Sequence, residues 1–172
     1  ATRHLQEHES ALFRSLGCSA LSALSPGVLG QTGIETLELL RGAVRSVRPN
    51  LVVVVDALAA RSCSRLASTV QISDSGIVPG SGVGNYRTAI TSETLGVPVI
   101  AIGVPTVVNS STLVWDALKE AHIVEIGDEL QAVLENGKSF FVSPKESDLI
   151  SDAVSELLAD AISEAFIGEK LF

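Results

Sequence analysis

Leu51-Val-Val-Val-Val-Asp56-Ala-Leu-Ala-Ala-Arg61-Ser62 is the stretch from which the fold is read. Its first five residues are apolar and four are β-branched, which predicts a strand buried on both faces, as in the middle of a parallel sheet. A carboxylate follows where that strand is expected to end. In open α/β sheets, ligands and chemistry gather at the carboxyl ends of the strands. An ionised Asp56 at such a place must find partners or accept a raised pKa, because uncompensated burial of charge is unfavourable. Two readings stand at this point: Asp56 is a working carboxylate, or it caps the next segment or pairs with Arg61.

Working outward, the 172 residues are 46% hydrophobic and only 4% aromatic. That suits one domain, residues 1–172, whose core is built from Val, Leu, Ile and Ala. A net charge of -8 argues against binding a nucleic-acid backbone and leaves a basic protein open as substrate or partner. Cys18 and Cys63 cannot make a disulfide framework and have no zinc-like spacing, so a reducing cytoplasm fits. No apolar run approaches the length of a membrane span, and the first residues are polar rather than signal-like. His4 and His8 stand four apart, but a zinc pair at that spacing wants a third ligand and a catalytic Glu. The polar segment around them reads as a solvated helix face, and neither a metal nor a cofactor is expected. The sequence has no methionine, not even an initiator, which points to a piece of a longer protein.

Along the chain, residues 1–16 read as an exposed helix and Ser19 to Leu24 as a short strand. Thr32 and Glu35 form a capping-box pattern, predicting a helix from about Gly33 to Val47. After Asp56 a short helical or irregular piece is expected through Leu66, then a strand at Thr69 to Ser73. Asp74 to Arg87 is a glycine-bearing loop, and Ser92 with Glu93 opens one helical turn that stops at Gly96. Val97 to Val104 is the next buried strand. Helices follow at Leu113 to Ala121 and Asp128 to Asn136, then an edge strand at Phe140 to Val142. Ser143-Pro144-Lys145-Glu146 resembles a helix start, with an apolar stripe from Leu149 to Ile162 at helical spacing. Strands alternating with helices predict an α/β fold, a mostly parallel sheet with helices on both faces. Val107 to Ser111, or the region after His122, is where a deletion or a long excursion is expected.

Three constellations bear on chemistry. Gly80-Ser81-Gly82-Val83-Gly84 lacks both the dinucleotide fingerprint and a following Gly-Lys-Ser or Gly-Lys-Thr, so it reads as a tight loop. Its backbone N–H groups are alternatively suited to the carbonyls of a substrate peptide. Asp56 and Asp74 both follow predicted strands; on neighbouring strands they would approach and share a proton, as in aspartic peptidases. Asp74-Ser75-Gly76 is equally a turn signal. A serine nucleophile has no Gly-x-Ser-x-Gly elbow here, and His122 is the only histidine outside the N-terminal segment,.

Taken together, Ser25-Pro-Gly-Val-Leu-Gly-Gln-Thr-Gly-Ile-Glu-Thr36, Val55-Asp-Ala-Leu-Ala-Ala-Arg-Ser62, Val70-Gln-Ile-Ser-Asp-Ser-Gly-Ile77, Pro79-Gly-Ser-Gly-Val-Gly-Asn85 and Glu93-Thr-Leu-Gly-Val-Pro-Val-Ile-Ala-Ile-Gly-Val-Pro-Thr-Val-Val108 resemble the spore germination protease family. Thr2-Arg-His-Leu5 and Val142-Ser-Pro-Lys-Glu146 fit as well. These are endopeptidases that degrade small acid-soluble spore proteins when a spore germinates. The resemblance implies a fold similar to the hydrogenase-maturation proteases and an atypical aspartic mechanism with two aspartates. One is Asp56. The other lies in a Thr-Pro-Asp-Ala-Leu-Gly segment upstream of the Thr-Arg-His-Leu text, so the first strand and one carboxylate are expected to be missing from this chain. Asn109 stands where the family usually has Asp, and the stretch before Phe140 looks shortened.

On this reading Gln31, Thr32 and Gly33, with Gly80, Gly82 and Asn85, hold the extended substrate. Asp74 lies with them, and Arg61 tunes Asp56 or accepts a substrate carboxylate. The resemblance further implies a homotetramer, a zymogen activated by loss of a propeptide, and a place in the cytoplasm of the spore core. Two other readings are carried: a metal-dependent processing protease of the hydrogenase-maturation type, and a catalytically inactive peptide-binding module.

Overall fold

The structure, a computed structural model, describes residues 21–84, 87–138 and 140–167. The helix expected over residues 1–16, His4, His8, Cys18 and Asn85 lie outside them. The chain divides into two units, residues 37–147 and residues 1–36 with 148–172. In order, the elements are α1 (Leu29–Thr32), α2 (Thr36–Val47), β1 (Val52–Ala60), β2 (Gln71–Ser73), α3 (Ser92–Leu95), β3 (Val99–Asn109), α4 (Ser110–Glu120), α5 (Asp128–Asn136), β4 (Phe141–Val142) and α6 (Ser147–Ile167). Short 3-10 turns at Cys63–Arg65 and Ser81–Val83 punctuate the loops.

The two aliphatic runs find each other. β1 and β3 pair in parallel from Val52 opposite Val99 to Ala60 opposite Val108, with a bulge on β3 beside Leu58 and Ala59. β2 and β4 each pair antiparallel with β3. The chain is therefore α/β with a mixed sheet ordered β1-β3-β2, its longest ladder the parallel one. Burial explains why β3 is central: Val99, Ala101, Ile102, Gly103, Val104 and Pro105 are all buried, as a strand with neighbours on both edges and cover on both faces requires.

The core of the 37–147 unit gathers Leu37, Ile90, Leu95 and Val99. Leu40 and Val44 of α2 and Val52 and Val54 of β1 pack against it. Positions 37, 40 and 44 recur at helical spacing, and 52 and 54 at strand spacing, so the packing of α2 on this sheet face is written twice in the sequence. Each such side chain, once fully buried, contributes about 1.5–3 kcal/mol. Gly76 adds a backbone condition: at φ +84° it lets Ile77 bridge to Ile90, the most deeply buried large side chain of the core.

Several boundaries differ from expectation. β1 does not end at Asp56 but continues through Ala60, because Ala57-Leu-Ala-Ala60 carries no turn residue and keeps pairing with β3. α2 starts at Thr36, not Gly33. Gly33, at φ +67°, instead closes α1, and the Thr32 hydroxyl accepts from the Ile34 N–H at 3.2 Å rather than capping α2. Leu21 to Leu24 form no strand. α6 begins at Ser147; Ser143 to Glu146 stay outside it, with the Ser147 N–H donating to the Pro144 carbonyl at 3.2 Å. The stripe expected on α6 is only half covered: Ile150, Val154, Leu158 and Ile162 are partly buried, while Leu149 and Leu157 are exposed. α3 ends at Gly96 (φ +74°) as read, though its capping box joins Thr91 to Thr94. α5 runs as predicted. At Val107 to Ser111 no excursion occurs: β3 passes directly into α4, whose first turn is capped by the Asn109 side chain accepting from Ser111 N at 2.8 Å.

Candidate active site

Asp56 stands in the ladder of β1, opposite Gly103 of β3. The two-residue period of a strand puts it on the same face as Val52 and Val54, the face that carries the α2 core,. It is half-buried at the margin of that core. Burial pushes its carboxyl above the ordinary aspartate value, and a hydrogen bond from the Ala57 backbone opposes this more weakly. A carboxyl raised in this way holds a proton more readily than a solvated one, which a group that donates and accepts protons needs.

The absence of a side chain at Gly103 shapes the ground beside it. A Cβ built there would collide with Cδ1 and Cγ of Leu58, so Leu58 leans across β3 in the space that glycine leaves. Asp56 is thus followed, two residues on and on the same face, by an apolar side chain that walls it from one side.

The remaining residues singled out in the sequence fall in different places. Asp74 follows β2, and β3 lies between β2 and β1. Two strand spacings, about 10 Å, therefore separate the backbones. The pairing imagined for Asp56 and Asp74 depended on neighbouring strands, and β1 and β2 are not neighbours. Gly82 packs on the other face of β1: a Cβ there would lie 2.8 Å from the Cβ of Ala59, and Ala59, like Ala57, points away from Asp56 by the strand period. Gly80 lines a small cavity with Ala57 to Ala59. Arg61 is exposed just beyond the end of β1, and its charge is not among the influences on Asp56. Gln31, Thr32 and Gly33 belong to the other unit, at the end of α1.

One constellation was not read from the sequence. Asp116 on α4 reaches the turn where β1 leaves the sheet, its Oδ2 accepting from the Ser62 hydroxyl at 3.0 Å and from the Cys63 backbone N–H at 2.6 Å. The Cys63 N–H, and then the Ser62 hydroxyl, hold the Asp116 carboxyl below the usual aspartate range. Partial burial, with the Asp116 carboxylate beside it, pushes the Cys63 thiol up, so this cysteine is not an activated nucleophile. A carboxylate in Trp115-Asp116-Ala117 carries no local signal; only the fold brings it across 53 residues to Cys63.

Two cavities border these elements. One of about 350 Å³ is lined by Trp115, Leu118, Lys119, His122, Ile123 and Val124 at the end of α4. The other, about 20 Å³, lies between Ala57 to Ala59 and the Gly80 to Val83 turn. Neither is lined by Asp56, and the larger is a mostly apolar surface groove. Among the described residues no group of three or more His, Cys, Asp and Glu could hold a metal ion, and no helix is long and apolar enough to cross a membrane.

With Asp56 in its ladder and Gly103 across from it, the comparison with known proteins is decisive. The model of the germination protease family matches residues 1–133. The chain belongs to this family. A germination protease of Caldanaerobacter subterraneus subsp. tengcongensis is 46% identical over 172 residues, covering 87% of this chain and 52% of that protein. That of Priestia megaterium is 45% identical over 156 residues, covering 86% and 42%. That of Bacillus pumilus is 51% identical over 117 residues, covering 68% and 31%. The chain thus spans about half or less of the length of these relatives. The match takes in β1 with Asp56, the glycine-rich turns and β3, and it reaches through α4 with Asp116.

Proposed function

We propose that this chain carries a large part of an endopeptidase that begins the degradation of small acid-soluble spore proteins at germination, and that Asp56 is half of its catalytic couple. Membership of the germination protease family supports the reaction class. The single observation that supports the residue is the half-buried place of Asp56 on the longest ladder of the sheet, where burial pushes its carboxyl above the ordinary aspartate value.

In this reading Asp56 shares a proton with the second aspartate that the family resemblance implies. The ionised member takes a proton from water as the water oxygen attacks the scissile carbonyl carbon. The protonated member delivers its proton to the leaving nitrogen as the C–N bond breaks, so the pair returns to one shared proton. The glycine-rich segments at Gln31 to Gly33 and at Gly80 to Asn85 would grip the substrate backbone, with Asp74 and Arg61 at their margins. The finer points of the proposal are a single peptidase domain of the hydrogenase-maturation protease type, a homotetramer made as a zymogen, and residence in the cytoplasm of the spore core.

The test is incubation of the full-length protein with a small acid-soluble spore protein, with products read by mass spectrometry. Cleavage that disappears in Asp56→Asn while the thermal melt persists is the expected result. Turnover retained by Asp56→Asn would remove Asp56 from the mechanism, and binding without cleavage by the unaltered protein would favour the inactive peptide-binding reading.

A further inference from the structure

Where β1 leaves the sheet, the chain is tied down twice. Asp116 of α4 accepts from Ser62 Oγ at 3.0 Å and from Cys63 N at 2.6 Å, and the Ala67 N–H donates to the Pro105 carbonyl of β3 at 2.8 Å. Within the turn, the Ser62 and Ser64 hydroxyls lie 3.0 Å apart and the Ser68 hydroxyl donates to the Ser64 carbonyl at 2.6 Å. The stretch that follows β1 is therefore held by groups from both β3 and α4, consecutive elements of which β3 also places Gly103 opposite Asp56. Bonds to an ionised carboxylate are shorter and stronger than neutral ones, and the Cys63 N–H bond has that shortness.

We propose that Asp116 is a positioning residue for the reaction: by clamping Ser62 and Cys63 it fixes the exit of β1 against α4, and so the height of Asp56 along β3. The inference rests on the reading of Asp56 as a catalytic group and adds a residue that touches neither water nor substrate. Its geometry suits the task. Ser62 is six residues from Asp56 along one strand and its turn, and the same turn is tied to β3 by the Ala67 N–H bond to the Pro105 carbonyl and to α4 by Asp116. A misplacement of about 1 Å at a reacting group lowers rates by up to about a hundredfold. A buffer of chain between clamp and site, short as it is, makes about tenfold the expected loss here.

The experiment has two readouts, on the full-length protein. Alkylation of Cys63 by iodoacetamide at fixed pH, followed by peptide mapping that separates it from Cys18, reports the clamp itself. Because the Asp116 carboxylate helps hold the thiol protonated, Asp116→Asn is expected to speed the alkylation of Cys63 several-fold. Steady-state cleavage reports the consequence: kcat about tenfold lower in Asp116→Asn, with KM within twofold. Ser62→Ala is expected to show a smaller loss of kcat, and Ser62→Thr, which keeps the hydroxyl, to restore it. Unchanged alkylation would overturn the clamp. Faster alkylation with wild-type kcat would overturn the positioning role while leaving Asp56 in place. Turnover by Asp56→Asn would remove the reading beneath both. Should Asp116→Asn fail to give a cooperative melt, Ser62→Ala against Ser62→Thr carries the same comparison.

Discussion

Leu58 occupies the space that a side chain at Gly103 would need. Gly103 is paired with Asp56 and is buried in the middle of β3, so this one absence of a Cβ lets an apolar side chain close over the sheet beside the candidate catalytic carboxyl. Gly103→Ala forces Leu58 off its rotamer or pushes the strands apart. Overpacking of this kind destabilises by about 1–3 kcal/mol, which urea denaturation measures directly. The same substitution should lower cleavage more than the melt alone explains, because the displaced group is two residues from Asp56.

Gly76 and Gly42 make opposite predictions from the same change. At Gly76, with φ +84°, an added Cβ would meet the backbone carbonyl of Ile90, and the Ile77 to Ile90 bridge that seats the core would open. Gly76→Ala is expected to destabilise by more than about 1–2 kcal/mol, the cost of the left-handed conformation alone for a residue with a Cβ. Gly42 lies inside α2 with nothing within 4 Å of an added Cβ. There Gly42→Ala should stabilise by roughly 0.5–1 kcal/mol through helix propensity. Thermal melts of the two variants side by side separate backbone strain from propensity.

The pKa directions give stability predictions of opposite sign. The carboxyl of Asp56 is raised on folding, so its ionisation opposes folding. Its contribution is most favourable below the unfolded value of about 3.9 and is lost as pH rises through the folded value. Asp56→Asn is therefore expected to melt at or above the wild-type temperature near pH 7, with the difference closing at acid pH. Asp116 is lowered instead. Its contribution is present above about 3.9 and is lost as pH falls through its folded value. Asp116→Asn is expected to melt below wild type near neutrality and to converge with it in acid. Melts of both variants at a series of pH values read the two signs.

How far the sequence carried the fold follows from which signals were redundant. β1 and β3 were legible as strands because both are aliphatic, β-branched runs, but the burial expected of Leu51 to Val55 on both faces belongs to β3 alone. Among the described residues β1 is the end strand of the sheet, and its Val55 is 50% exposed. α5 was legible because Asp128 and Gly137 bracket a helical pattern. The start of α2 was misread because Thr32 has two uses: its hydroxyl can cap a helix or satisfy a turn, and Gly33 at positive φ settles it for the turn. The end of β1 was misread because a carboxylate looks like a stop, although Ala57 to Ala60 go on pairing with β3. Asp56 itself could be named from its place after an aliphatic run. Asp116 could not, since its partners Ser62 and Cys63 are 54 and 53 residues away and only the passage of β3 straight into α4 brings them together.

The order of the strands makes a last prediction, about which carboxyl Asp56 answers to. With β3 between β1 and β2, Asp74 is separated from Asp56 by about 10 Å across the sheet in backbone terms. Asp74 is also offset along the strands: it follows Ser73, which pairs with Ala101, whereas Asp56 pairs with Gly103. Exposed charges beyond about a Debye length, roughly 8 Å at physiological salt, are largely screened from one another. Asp74→Asn is therefore expected to leave the titration of Asp56 in place, followed by the carboxyl carbon resonance of Asp56 against pH. A downward shift of the Asp56 titration in Asp74→Asn would mean that the Asp74 charge helps to raise it.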